Sequence, residues 1–158
     1  MDLALASLSS FSGRVSLTIA VGILASLLYS RRTGWSTGGL VTPGLLAIQA
    51  GDPAYFAGSL GLAVLFSIAL RPLARGLSLY GRERVGAALL LAIAFRLVLQ
   101  TVHPPAGLDA FWIGWIAPGL IAADMERQGV LMTLSAAVST AVVTAIAVWL
   151  LLSLGGVL

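Results

Sequence analysis

The sequence has no cysteine and no lysine, only one histidine, and few charges of either sign: 9% of its 158 residues are Asp, Glu, Lys or Arg. Without cysteine there are no disulfides and no thiolate metal sites. One histidine and six scattered acids do not make a protein-built catalytic metal centre. Without lysine there is no phosphate-binding loop of the Gly-rich, Lys-terminated kind, so the chain shows no ATP site. A soluble domain needs roughly a quarter of its residues charged to cover its surface, and this chain falls far short. Lipid must do the covering.

What is present agrees with that. Hydrophobic residues make up 59% of the chain and the mean hydropathy is +1.02. The net charge is +3 and all of the basic residues are arginine. They cluster at the ends of apolar segments, as expected for orientation in a membrane and not for binding nucleic acid. The length suits one integral membrane domain spanning 1–158. The leader carries Asp2 and no basic residue before Arg14, and the first long apolar run ends in Arg31–Arg32, so it reads as a retained span with a stop signal.

Four apolar segments are long enough, or nearly so, to cross as helices: about Val15–Ser30, Ala54–Leu70, Val85–Val102 and Val130–Leu152. Two shorter stretches, about Trp35–Ala50 and Ala110–Ala123, each contain a Pro-Gly pair, Pro43–Gly44 and Pro118–Gly119. Proline removes a donor and glycine loosens the backbone, so neither stretch is expected to be one straight helix. The expected fold is therefore an all-α membrane protein of four long transmembrane helices plus two shorter Pro-Gly-broken membrane segments.

The two halves, about 1–79 and 80–158, look alike. Gly39–Ala47 aligns with Gly114–Ala122 at an offset of 75 residues, with five of nine positions identical. Each copy lies between a long span before and a long span after, which reads as a two-fold repeat. If the broken stretches cross, Arg31, Arg32, Arg71, Arg75, Arg82, Arg84 and Arg127 fall on one face. Asp2, Arg14, Asp52, His103 and Asp109 then fall on the other. If they dip in and return, this asymmetry mostly vanishes. The positive-inside rule favours crossing, with the Arg71–Arg84 loop in the cytoplasm and both termini outside. Three crossings per unit invert the second half, and inverted repeats place a shared site near the midplane, where broken elements meet.

Arg96 is the one charge deep inside a long span. Such a guanidinium costs on the order of 2.5–3.5 kcal/mol at a helix centre, so it should face the bundle. It reads either as a handle for an anionic chain or as half of a structural pair. Thr42, Pro43, Gly44, Pro118 and Gly119 either line a path with Arg96 or let helices approach closely. Arg71, Arg75, Arg82, Glu83 and Arg84, with Asp124, Glu126 and Arg127, form a candidate docking patch for a partner. Their alternatives are a solvated helix end and contacts with anionic lipid. His103 before Pro104–Pro105 carries no catalytic set.

The stretch from Thr33–Gly34 through Gly39-Leu-Val-Thr-Pro-Gly44, then Leu79-Tyr-Gly-Arg82, then Ile116-Ala-Pro-Gly-Leu-Ile-Ala122 and Gln128–Gly129, resembles the PgsC/CapC family of poly-γ-glutamate biosynthesis proteins. Order and spacing match over nearly the whole chain; Glu83 and Ala117 are conservative departures. The resemblance implies a multi-pass subunit of the prokaryotic plasma membrane within an ATP-dependent amide ligase complex. Its partners would be a Mur-ligase-like synthase subunit carrying the ATP and Mg, and a subunit for export or anchoring of the polymer. No cofactor is expected in this chain itself, and self-association is expected to help enclose a path. Two readings of other kinds stand beside it: a self-sufficient small anion transporter or channel built from an inverted repeat, and a purely structural anchor.

Overall fold

The computed structural model describes residues 2–76, 78, 81–102 and 116–155. His103, Pro104–Pro105, Asp109, the Leu79–Tyr80 motif and residues 110–115 of the second Pro-Gly stretch lie outside the described residues. Among the described residues six helices follow in order: α1 (Asp2–Thr33), α2 (Thr42–Gln49), α3 (Pro53–Gly76), α4 (Arg82–Val102), α5 (Ile116–Gln128) and α6 (Val130–Gly155). Among the described residues, three stretches are long and apolar enough to cross a membrane: Ser12–Thr33, Pro53–Gly76 and Val130–Leu154.

The ends of these helices follow from local chemistry. Gly34 (φ +74°) and Gly129 (φ +96°) stand just past α1 and α5 in the left-handed conformation, and their N–H groups donate back to Ser30 O and Met125 O at 2.8 and 3.0 Å. Arg31 and Arg32 occupy the last turn of α1, where the helix dipole favours a cation. Asp52 caps α3: its Oδ1 accepts from the N–H groups of Ala54 and Tyr55 at 3.0 and 3.4 Å, and Pro53 follows at the first helical position.

Two expectations change in detail. The second span is expected to end near Leu70, yet α3 runs through Pro72 to Gly76. The proline leaves the Ile68 carbonyl without its helical donor, and the helix runs on for only four residues beyond it. The first Pro-Gly pair, in turn, opens a helix. Pro43 is the second residue of α2, where the missing N–H would have had no intrahelical partner. In the first copy the interruption lies upstream, in the non-helical segment 34–41.

The packing puts small residues inside and large ones outside. The buried face of α6 is Thr133, Ala136, Ala137, Thr140, Ala141, Thr144 and Val148, while Leu131 is 83% and Trp149 68% exposed. In lipid, helices associate through close van der Waals contact, and the apolar side chains are as well placed facing acyl chains as facing each other. Two of its buried hydroxyls are satisfied within α6: Thr140 donates to Ala136 O at 2.6 Å and Thr144 to Thr140 O at 2.7 Å. Larger side chains enter at a few central points. Leu46 of α2 meets Ile121 and Met125 of α5 between Ala63 of α3 and Ala137 and Ala141 of α6. Phe66 packs on Ala92 and Ala122, and its ring meets Phe95 edge-on at 5.4 Å.

The neighbour relations have a simple form. Helix α1 packs on α2 and α6, and α4 packs on α5 and α3. Helix α2 lies against α6, α5 lies against α3, and α2 and α5 touch each other. Exchanging α1 with α4, α2 with α5 and α3 with α6 leaves this set of neighbours unchanged.

Candidate functional site

Segment 34–41 is the strap between α1 and α2. It turns back along α1: Ser26 Oγ and Thr37 Oγ1 share a hydrogen bond of 2.7 Å, and Thr37 also donates to Gly39 O at 3.1 Å. Further on, Gly44 lies against Thr18 and Ile19. From the Ser26 contact to the Ile19 contact the chain retraces seven residues of α1, about 10 Å at the helical rise. The strap and α2 thus run antiparallel to α1. Gly38 takes φ +84°, and a methyl group there would lie 2.7 Å from Ile121 Cγ1, so both backbone and space require glycine. Thr42 Oγ1 donates to Gly38 O and closes the turn.

At its outer end the strap is gripped by the last turn of α5. Gln128 acts like a strand partner: its Oε1 accepts from the Ser36 N–H at 2.9 Å and its Nε2 donates to Ser36 O. The same amide donates to Thr133 Oγ1 at 3.1 Å, tying in α6. Ser36 Oγ donates to Asp124 Oδ2, while Asp124 Oδ1 lies 3.5 Å from Arg127. Asp124 is 7% exposed, and a carboxylate so placed needs its charge met and its lone pairs filled. Arg71 of α3 reaches Glu126 Oε2 at 3.5 Å. Both of these arginines are largely exposed, so water weakens the attraction.

These bonds bring the ends of α1, α3 and α5 together. Arg31, Arg32, Arg71, Arg75 and Arg127 therefore share one end of the molecule. Arg82, Glu83 and Arg84 join them at the start of α4, whose first turns pack on α3 and α5 through Leu70, Ala88 and Ala123. Seven arginines stand there against three acids, Glu83, Asp124 and Glu126. The expected docking residues are thus assembled, but Asp124 sits inside, engaged by Ser36 and Arg127, and is not part of an open surface.

The expected path residues are placed differently. Thr42, Pro43, Gly44, Pro118 and Gly119 are all buried in helix contacts. A methyl group on Gly44 would lie 2.8 Å from Ile19 Cα, and one on Gly22 would lie 2.4 Å from Gly44 N. Gly119 meets α4 in the same manner, with Ala88 O and Ala92 Cβ 3.2 and 3.3 Å from an added methyl. Both Pro-Gly elements thus press onto the long helix that precedes them. Arg96 is partly buried, 14 residues along α4 from Arg82 and so about 21 Å from the basic end.

With the geometry in place, similarity to known proteins becomes decisive. A family model described as "Capsule biosynthesis CapC" matches residues 21–134. The chain belongs to the CapC family. The matched stretch runs from the middle of α1 into α6 and includes the strap, its grip on α5 and both Pro-Gly helices. Among CapC relatives, the "Capsule biosynthesis protein CapC" of Bacillus anthracis is 32% identical over 128 residues, 78% of this chain and 86% of that one. The "PGA biosynthesis protein CapC" of Bacillus subtilis (strain 168) is 30% identical over 127 residues, 78% and 85% of the two chains. No solved structure matches.

Ser26, Ser36, Thr37, Gln128 and Thr133 were not expected as a group. The motif containing Gly34 to Gly39 and the pair Gln128–Gly129 both marked the region, but nothing local signals a contact 92 residues apart.

Proposed function

We propose that this chain is the membrane subunit of a poly-γ-glutamate synthase, a multi-pass protein of the prokaryotic plasma membrane forming one domain over 1–158. The observation that carries this is the CapC match over 21–134, together with relatives whose names state capsule and PGA biosynthesis. In this reading α4 is a fourth span; its 21 residues reach about 31 Å. The two short helices cross together with the segments that lead into them, and the antiparallel course of the strap along α1 supports this for the first copy. The set of helix neighbours, unchanged on exchanging the halves, supports an inverted repeat whose axis passes near Leu46 and Ile121.

The arginine-rich end then faces the cytoplasm. It serves as the landing surface for a Mur-ligase-like subunit that carries ATP and Mg and joins the glutamates. A further subunit handles export or anchoring of the product. The Pro-Gly pairs act by letting helices close on one another, and Arg96 is the intramembrane contact for the polyanion. This chain performs no ligation by itself. The test is complementation: a polyglutamate-producing host lacking its own CapC-type subunit receives this chain. Restored polymer is the expected result; no polymer with the protein correctly inserted in the membrane would reject the assignment.

A further inference from the structure

Between α1 and α6 lies an open groove of about 400 Å³ that the polymer-synthesis reading does not use. Its floor is low because Ala25 and Ser139 are small; Leu28 and Val143, 65% and 57% exposed, form its lips. The hydroxyls on its α6 side are committed to the helix that bears them: Ser139 donates to Ala136 O at 3.1 Å and Thr140 to the same carbonyl at 2.6 Å. The walls therefore present carbon to whatever lies in the groove. One lining residue is charged. Arg32 stands at the rim, in the last turn of α1, seven residues or about 10 Å above Ala25. Tyr29 lies one turn below it, near the end of α1, and aromatic residues near the ends of spans favour the headgroup region of a bilayer.

We propose that this groove is a binding site for an anionic phospholipid, the acyl chain lying against Ala25, Leu28 and Val143 and the phosphate resting on Arg32. The pairing of features selects this class of ligand. A water-soluble anion gains nothing from a 10 Å apolar trough, on the scale of the helical rise between Ala25 and Arg32. A lipid without net charge gains little from a guanidinium at the rim. A second groove, between α3 and α4 and about 520 Å³ in volume, provides the contrast: its charged lining group is Glu83, which repels a phosphate. The site requires that the chain sit in a bilayer, but not that it serve polymer synthesis, so the two ideas fail separately.

Native mass spectrometry of the purified protein, titrated with phosphatidylglycerol or phosphatidylcholine of identical chains, tests it. Wild type should retain phosphatidylglycerol in preference to phosphatidylcholine. Arg32→Gln should weaken phosphatidylglycerol retention about fivefold, the effect of one basic group at an anionic headgroup, and Arg32→Lys should largely restore it. Ser139→Leu, which fills the floor, should reduce retention of the lipid with Arg32 intact, whereas Arg82→Gln should leave it unchanged. Equal retention of both lipids would overturn the proposal, as would an Arg32→Gln protein that binds like wild type. Displacement by inorganic phosphate at equal concentration would point to a simple anion site and overturn it too.

Discussion

Replacing Gln128 by alanine removes the grip of α5 on the strap, and its cost follows from the bonds lost. Gln128 accepts from the Ser36 N–H at 2.9 Å and donates to Ser36 O and to Thr133 Oγ1, the last at 3.1 Å. Thr133 keeps its own bond to Gly129 O at 2.9 Å, so its loss is minor. The two backbone groups of Ser36 are part-buried and lose their partner outright. At about 1 kcal/mol net per neutral bond, the substitution destabilises by about 2 kcal/mol. For a chain of this length that is a fall in Tm of roughly 4–8 °C. Gln128→Glu should do no better: it keeps the acceptor but loses the donor, and it sets a second carboxylate on Ser36 beside Asp124. Gln49→Ala is the calibration, since among the described residues the Gln49 side chain accepts one bond, from the Ser59 hydroxyl at 2.6 Å, and its loss should cost about half as much. The melt is read in detergent from the fluorescence of the four tryptophans. A Gln128→Ala protein melting within a degree of wild type would refute the idea that this contact holds the basic end together.

The absence of cysteine allows a clean test of topology: single cysteines at Arg31 and Arg71 should react with an impermeant maleimide from the same side, and one at Asp52 from the other. Reaction of 31 and 71 from opposite sides would undo the crossing arrangement. Gly44→Ala places a methyl 2.8 Å from Ile19 Cα, backbone that does not yield cheaply, and should cost about 1–3 kcal/mol or prevent accumulation, whereas Gly58→Ala, with open space around it, should be neutral. Neutralising Arg71, Arg75, Arg82 and Arg84 together should reduce co-purification of the proposed ligase partner without lowering the membrane level of this chain; unchanged co-purification would remove these residues from the proposed docking surface. Arg96→Ala should lower polymer output at normal protein level, and undiminished output would take Arg96 out of the polymer path.

The parts of this fold legible in the sequence are those set by composition and short-range chemistry. Arg31–Arg32 does end α1, Asp52–Pro53 does begin α3, and the apolar run from Val130 does become α6. Helix extents were less legible. Helix α3 runs six residues past Leu70, through Pro72, and packs on α5 and α4, contacts that the local sequence does not display. The strap's partners were not legible at all. Asp124 looks like one more charge at a helix end; only the fold brings Ser36 to it and turns a surface acid into a buried one. Likewise Pro43–Gly44 announces an irregularity, but whether it lines a space or closes one depends on where α1 lies.

The grip on Ser36 also sets an order of events at the ribosome. Gln128 is made 92 residues after the residue it holds, a delay of roughly 5–20 s at ordinary rates of bacterial synthesis. Through that interval α2, α3 and α4 are made after α1 with the strap unfastened and its backbone amide and carbonyl still without Gln128. The nascent chain therefore becomes whole late, in one closing step near its end, and a ribosome stalled before codon 128 would leave in the membrane a half-protein whose cationic end has yet to form.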